Sequence, residues 1–169
     1  MDFNSIVIKS QKSYPDWQIG RQDAKIAYLL SQSYSSRHSE TTAVMTYLYQ
    51  SLVIAPFDEG IARLFEKIAV VEMEHQNMLG KLIVAYGGNP VLAFGNRFWS
   101  GGSVTYTRNL KEILIANITA EESAVMDYKA LLKKIPDESV KEVIECIIAD
   151  EELHIKAFKE ILEYITFWK

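Results

Sequence analysis

The sequence predicts an all-α fold in which four long helices form two antiparallel hairpins joined by one long crossover. Apolar residues recur at alternating steps of three and four along four segments, as the buried face of a bundle helix requires. Proline and glycine cluster between those segments instead of scattering through them. Polar side chains of metal-ligand type interrupt all four apolar stripes near mid-length.

The first helix is expected from Ala24 to Ala55, ending before Pro56, and places Glu40, Val44, Tyr47 and Ser51 on one face. Asp58 is a candidate N-cap for a second helix reaching Tyr86 before Gly87 and Gly88. Its stripe reads Ile61, Leu64, Ile68, Val71 with Glu72, His75, Met78 and Leu82. The stretch GGNPVLAFGNRFWSGGSVTYTR is too rich in turn-forming residues to continue a helix and long enough to run the length of a bundle, so it is read as the crossover. A third helix is expected from near Asn109 to Ile135, with Leu110, Leu114, Asn117, Glu121, Ala124, Tyr128, Leu131 and Ile135 on its stripe. Pro136 breaks it, and Asp137 can cap a fourth helix to about Ile165, with stripe Val140, Ile144, Ile147, Glu151, His154, Phe158, Ile161 and Ile165. Residues 1–23 carry Tyr14, Pro15 and Trp17 without periodicity and are expected to be an N-terminal strap on a bundle formed by residues 24–169.

A chain of 169 residues, 49% apolar and 24% charged, is long enough to bury the core of one such domain. The net charge of −4, without runs of Lys and Arg, argues against nucleic acid or an anionic membrane surface as partner. Cys146 is the only cysteine, so a disulfide framework, a thiolate zinc cage and a cysteine-held iron–sulfur cluster are all excluded. Any metal must be held by oxygen and nitrogen. With neither a basic segment leading into an apolar core at the N-terminus nor a charge-free membrane-length run, the expected location is the cytoplasm.

The interruptions of the stripes are specific. Glu72 with His75, and Glu151 with His154, form two ExxH motifs, and a three-residue step sets both side chains on one helix face. The chain has three histidines, and two of them fall in these motifs. The sequence also repeats: ETTAVMTY from Glu40 matches EESAVMDY from Glu121 at five of eight positions, with an offset of 81 residues against 79 for the two ExxH motifs. Each half therefore supplies a lone glutamate and then an ExxH, which implies a pseudo-two-fold site. The repeat selects Glu121 over Glu122, because only Glu121 aligns with Glu40. Four carboxylates in one buried layer would cost several kcal/mol each if uncompensated, on the order of the penalty for burying a charge, and two divalent cations would balance them. Carboxylates with one imidazole per metal suit iron or manganese.

This pattern resembles the ferritin-like di-iron and di-manganese carboxylate proteins over about residues 24–165. Within that superfamily, SETTAVMTYLYQ, EMEH, GGNP and DEELH are similar to rubrerythrin-related and manganese-catalase-like bacterial proteins, including the spore-coat branch. The resemblance implies two iron or two manganese ions per chain, with Glu40 and Glu121 as terminal ligands, His75 and His154 one to each metal, and Glu72 and Glu151 bridging. It further implies action on hydrogen peroxide or dioxygen. Peroxide removal, by disproportionation or with an external electron donor, is the leading expectation. Ferroxidase chemistry and a non-enzymatic coat-type role are the alternatives, and a homo-oligomer, guessed to be a dimer, is the family habit. The chain departs from the rubrerythrin pattern at Ala124, where those proteins usually carry a further glutamate, and in lacking the cysteines of a rubredoxin domain. Manganese catalases share the single third-helix glutamate but are usually longer at the C-terminus.

Neighbouring residues are assigned more ordinary roles. Arg37, one turn before Glu40, and Tyr47 and Tyr128, each seven residues after a lone glutamate, are candidates to hydrogen-bond the ligands. His38 is expected to point away from Glu40 on a helix surface, and Glu74, Glu122 and Glu152 to face solvent.

Overall fold

The computed structural model describes residues 2–167, so residues 1, 168 and 169 of the expected strap and bundle lie outside it. Five α-helices build the four rods of the bundle: α1 (Ala24–Ser35), α2 (Glu40–Ile54), α3 (Glu59–Ala85), α4 (Leu110–Leu132) and α5 (Glu138–Phe167). The expected first helix is thus broken at residues 36–39. The run from Ser35 to Thr42 holds no apolar residue, and its cluster of hydroxyls supplies the backbone with alternative partners. Ser39 Oγ and Thr42 Oγ1 donate to the Ser36 carbonyl, Thr41 Oγ1 donates to the Tyr34 carbonyl, and Ser36 Oγ accepts from the His38 amide. Glu40 consequently sits in the first turn of α2, where the helix dipole favours a carboxylate.

The other boundaries follow local chemistry. Asp23 caps α1, Asp58 caps α3 through the Ile61 amide, and Asn109 caps α4 through the Glu112 amide. The expected side-chain cap at Asp137 is not formed. Its carboxylate instead accepts from the Gly20 amide and the Tyr86 hydroxyl, tying the strap and the end of α3 to the start of α5. After α3 the chain reverses at Gly87, whose φ of +85° is the left-handed conformation that glycine adopts without strain. Gly88 follows where a Cβ would come within 2.7 Å of Ala27 Cβ.

α2 packs on α3 and α4 on α5 as two hairpins, with α1 also lying against α3. The crossover carries a two-residue antiparallel ribbon, β1 (Ala93–Phe94) with β2 (Arg97–Phe98), in register Ala93 to Phe98. It is fixed to the break between α1 and α2: Ser35 Oγ donates to the Ala93 carbonyl and the Trp99 indole N–H donates to Thr42 Oγ1. The strap runs the other way along the bundle. Phe3 meets Tyr164 edge-on, Lys9 pairs with Glu74, the Ser10 amide donates to Asp150, and Gln18 exchanges backbone hydrogen bonds with Ser139 Oγ.

Two apolar clusters fill the bundle. One contains Leu30, Leu79, Leu82, Tyr86, Leu131, Val140, Ile144 and Ile147; the other contains Ile54, Ile61, Phe65, Ile68, Leu114, Phe158 and Ile161. Along both α3 and α5 the ExxH motif falls between them, so the polar layer is sealed above and below by hydrocarbon. None of the described helices is long and apolar enough to cross a membrane.

Candidate metal centre

The six residues selected from the sequence converge in that layer, each between 0 and 4% exposed. α2 supplies Glu40, α3 Glu72 and His75, α4 Glu121, and α5 Glu151 and His154. They form two overlapping quartets whose ligand atoms lie within 4.8 Å of one another: Glu40, Glu72, His75 and Glu151, and Glu72, Glu121, Glu151 and His154. Glu72 and Glu151 belong to both.

Both histidines turn Nδ1 into the cluster. His75 Nδ1 lies 3.2 Å from Glu72 Oε2 and 3.2 Å from Glu151 Oε1, with Glu40 Oε2 at 3.7 Å. His154 Nδ1 lies 2.8 Å from Glu72 Oε1, 3.1 Å from Glu151 Oε2 and 3.9 Å from Glu121 Oε1. The 2.8 Å approach is not a hydrogen bond: Glu72 Oε1 is buried and has no hydrogen-bond partner. Glu72 Oε1 and His154 Nδ1 are brought together without hydrogen-bond geometry, as two atoms arranged around a common cation would be. A buried oxygen left without a partner is costly, and a divalent ion satisfies it. The donor set, carboxylates with one imidazole in each quartet and no thiolate, fits a dinuclear site for iron or manganese.

Burial, followed by the charges of Glu151 and Glu72, raises Glu40 and Glu121 well above the ordinary carboxylate range. Burial opposes protonation of the imidazoles, but Glu151 beside His75 and Glu72 beside His154 outweigh it and raise both. Burial would raise Glu72 too, yet His154 and His75 pull it below the carboxylate range.

Tyr47 and Tyr128 do reach the carboxylates, and they cross over. Tyr47, from the first half, donates to Glu121, while Tyr128, from the second, donates to Glu40. Burial first, then the adjacent carboxylates, raises both phenols well above their ordinary range, so they act as donors. Arg37 does not follow its expected path, because the helix break removes it from the turn before Glu40. It is exposed and, with His38, lines the mouth of a cavity of about 190 Å³. His38 is exposed as expected but lies in the break instead of on a helix. Glu74, Glu122 and Glu152 are exposed and paired with Lys9, Lys159 and Lys129.

The cavity lies between α2 and α4 under crossover residues 102–105, and reaches Glu40, Glu121 and Glu151 past the small side chains of Ala43, Ala120 and Ala124. Ala43 and Ala124 occupy equivalent positions in the internal repeat.

One participant had no sequence assignment. Asp150, 3% exposed, places Oδ2 3.3 Å from His75 Nε2 and accepts from the Ser10 amide, 2.5 Å away, at Oδ1. The equivalent position before the other ExxH glutamate is Val71, and His154 Nε2 is buried without a partner. Aligning the two ExxH motifs one residue further upstream would have exposed this break in symmetry. Nearby, the Tyr14 hydroxyl is also buried and unpartnered, and burial raises its pKa.

Fold and site together define a ferritin-like four-helix bundle with a carboxylate-rich centre fitted to a metal pair. The chain matches the rubrerythrin family over residues 30–162 and belongs to it. A probable manganese catalase from Clostridium acetobutylicum is 23% identical, across 88% of this chain and 75% of that protein. The manganese catalase KatB from Anabaena superposes with a TM-score of 0.84 at 24% identity, over 95% of this chain and 81% of its own. Bacterioferritin from Rhodobacter capsulatus superposes with a TM-score of 0.70 at 20% identity, over 86% and 89%. These structural likenesses carry the fold.

Proposed function

We propose that the chain holds two iron or manganese ions on Glu40, Glu72, His75, Glu121, Glu151 and His154, and uses them to remove hydrogen peroxide. The observation that carries this reading is the cavity that leads to Glu40, Glu121 and Glu151 past Ala43, Ala120 and Ala124. It admits a small polar molecule to a centre otherwise enclosed by hydrocarbon. A metal pair supplies reversible two-electron chemistry toward a peroxide bond. The protein's own contribution is placement. Glu72 and Glu151, common to both quartets, are the bridging candidates, and Glu40 and Glu121 the terminal ones. Tyr128 and Tyr47 hold the terminal carboxylates in orientation by donating to them. The apolar clusters on either side exclude bulk water and strengthen the electrostatics inside.

The likeness to manganese catalases supports disproportionation, with no external donor. Rubrerythrin membership keeps donor-dependent reduction within the same proposal, and the bacterioferritin likeness supports ferroxidase activity as the second reading. A homo-oligomer, with a dimer as the expected size, belongs to the proposal, and a sizing column tests it. The deciding experiment is oxygen evolution from hydrogen peroxide by protein loaded separately with manganese and with iron. Evolution with manganese supports the catalase reading. No evolution with either metal refutes disproportionation, and Fe(II) oxidation by the same samples then tests the ferroxidase reading against a coat-type role.

A further inference from the structure

We propose that the N-terminal strap is a working part of the metal centre: through Asp150 it fixes His75, so that the His75 half-site holds its ion more tightly than the His154 half-site. The inference rests on the metal-centre reading above and concerns how the two ions are divided.

The chain of contacts is continuous. The backbone amide of Ser10 donates to Asp150 Oδ1, which leaves Asp150 Oδ2 facing His75 Nε2. Lys9 pairs with Glu74, one residue before His75 on α3, so the strap is also anchored to the helix that carries His75, beside this contact. Strap, Asp150 and imidazole are thereby locked in one arrangement.

The consequence follows from imidazole chemistry. Both histidines present Nδ1 to the cluster, so an ion bound there requires the lone pair of Nδ1 and leaves the proton on Nε2. At His75 that N–H has an acceptor, the Asp150 carboxylate. At His154 the same nitrogen is fully buried and faces nothing that accepts. Metal entry at the first half-site adopts a tautomer the protein already supports, and at the second it fixes an unsatisfied donor. Outer acceptors of this kind set metal affinity over roughly 10- to 100-fold, and that is the difference expected between the two half-sites. The strap enters through its backbone, so the effect depends on the position of residue 10 and not on its side chain.

The test is a calorimetric titration of the metal-free full chain with Mn(II) under anaerobic conditions, with helical content checked by circular dichroism. The wild type is expected to bind in two steps about tenfold or more apart. His154→Ala should keep the tight step, and His75→Ala should lose it. Asp150→Val, which copies the Val71 side, should bring the tight step down to the weak one. Ser10→Pro, which removes the amide donor, should weaken the tight step alone, whereas Ser10→Ala, which keeps it, should leave the tight step in place. Two wild-type steps of equal affinity would overturn the inequality, as would an unchanged tight step in both Asp150→Val and Ser10→Pro. A wild type that binds no manganese and no iron fails differently, by removing the metal centre itself.

Discussion

The half-site built on Glu40 and His75 and the one built on Glu121 and His154 contain the same chemistry in different supports. Each takes a lone glutamate from one helix and an imidazole from an ExxH, and each receives a tyrosine from the opposite half. Their surroundings diverge. α4 runs unbroken through Glu121, whereas α2 begins at Glu40 after a break. His75 has Asp150 and the strap behind it; His154 has neither. The comparison teaches that an internally duplicated site can keep its six inward-facing carboxylates and imidazoles symmetric while residues behind them, such as Asp150 and Val71, differ.

The strongest way to break the comparison is to remove a residue that both halves share. Glu72→Ala should abolish the pair and with it any metal-dependent peroxide turnover, a loss on the order of 100-fold or more, measured as metal content and initial rate. Retention of two ions per chain in Glu72→Ala would defeat the ligand assignment.

Acidity sharpens the comparison next, since protons and ions compete for the same atoms. His75, His154, Glu40 and Glu121 are all raised in the metal-free fold. The stability they confer is fully present below their ordinary values and is lost as pH rises through the raised ones. Glu72 is lowered and acts oppositely, losing its contribution as pH falls below the ordinary carboxylate value. The Tm of metal-free protein should therefore fall between about pH 5 and pH 8, by on the order of 5 °C. Manganese should reverse the trend, because its binding displaces these protons and stabilises only the folded state. A metal-free Tm that rises over this range would contradict the raised pKa values of His75, His154, Glu40 and Glu121.

The two tyrosines test whether the symmetry holds one step from the ligands. Tyr47→Phe and Tyr128→Phe each remove a donor from a buried carboxylate, and each should weaken metal binding by about tenfold, with similar effects in the two variants. A large effect in one and none in the other would place the asymmetry inside the ligand layer instead of behind it. The smallest effect is expected at Glu122, which adjoins Glu121 but pairs with Lys159 in solvent. Glu122→Gln should leave metal content unchanged and move stability by less than about 1 kcal/mol.

Much of this was readable beforehand, for identifiable reasons. The hairpins and crossover were legible because helix periodicity and Gly/Pro punctuation are local signals, and the six layer residues because the chain states the motif twice. The break at residues 36–39 was missed because no proline or glycine marks it; its signal is the run from Ser35 to Thr42, which holds no apolar residue and whose Ser36, Ser39, Thr41 and Thr42 hydrogen bonds open the helix. Arg37 was consequently placed one turn from a glutamate it does not meet. Asp137 was assigned a cap because its position allowed one, but tertiary donors from Gly20 and Tyr86 claim its side chain. The strap's contact with Asp150 was invisible in principle. It is made by a backbone amide, which every residue except proline carries.

The most direct test of the central claim is the number of ions per chain after metal-free protein is exposed to Mn(II) or Fe(II) and freed of excess, measured by elemental analysis. Two per chain is the expected result. No bound ion would contradict the dinuclear centre, and a single ion that persists unchanged in Glu72→Ala would place the metal somewhere other than between these helices.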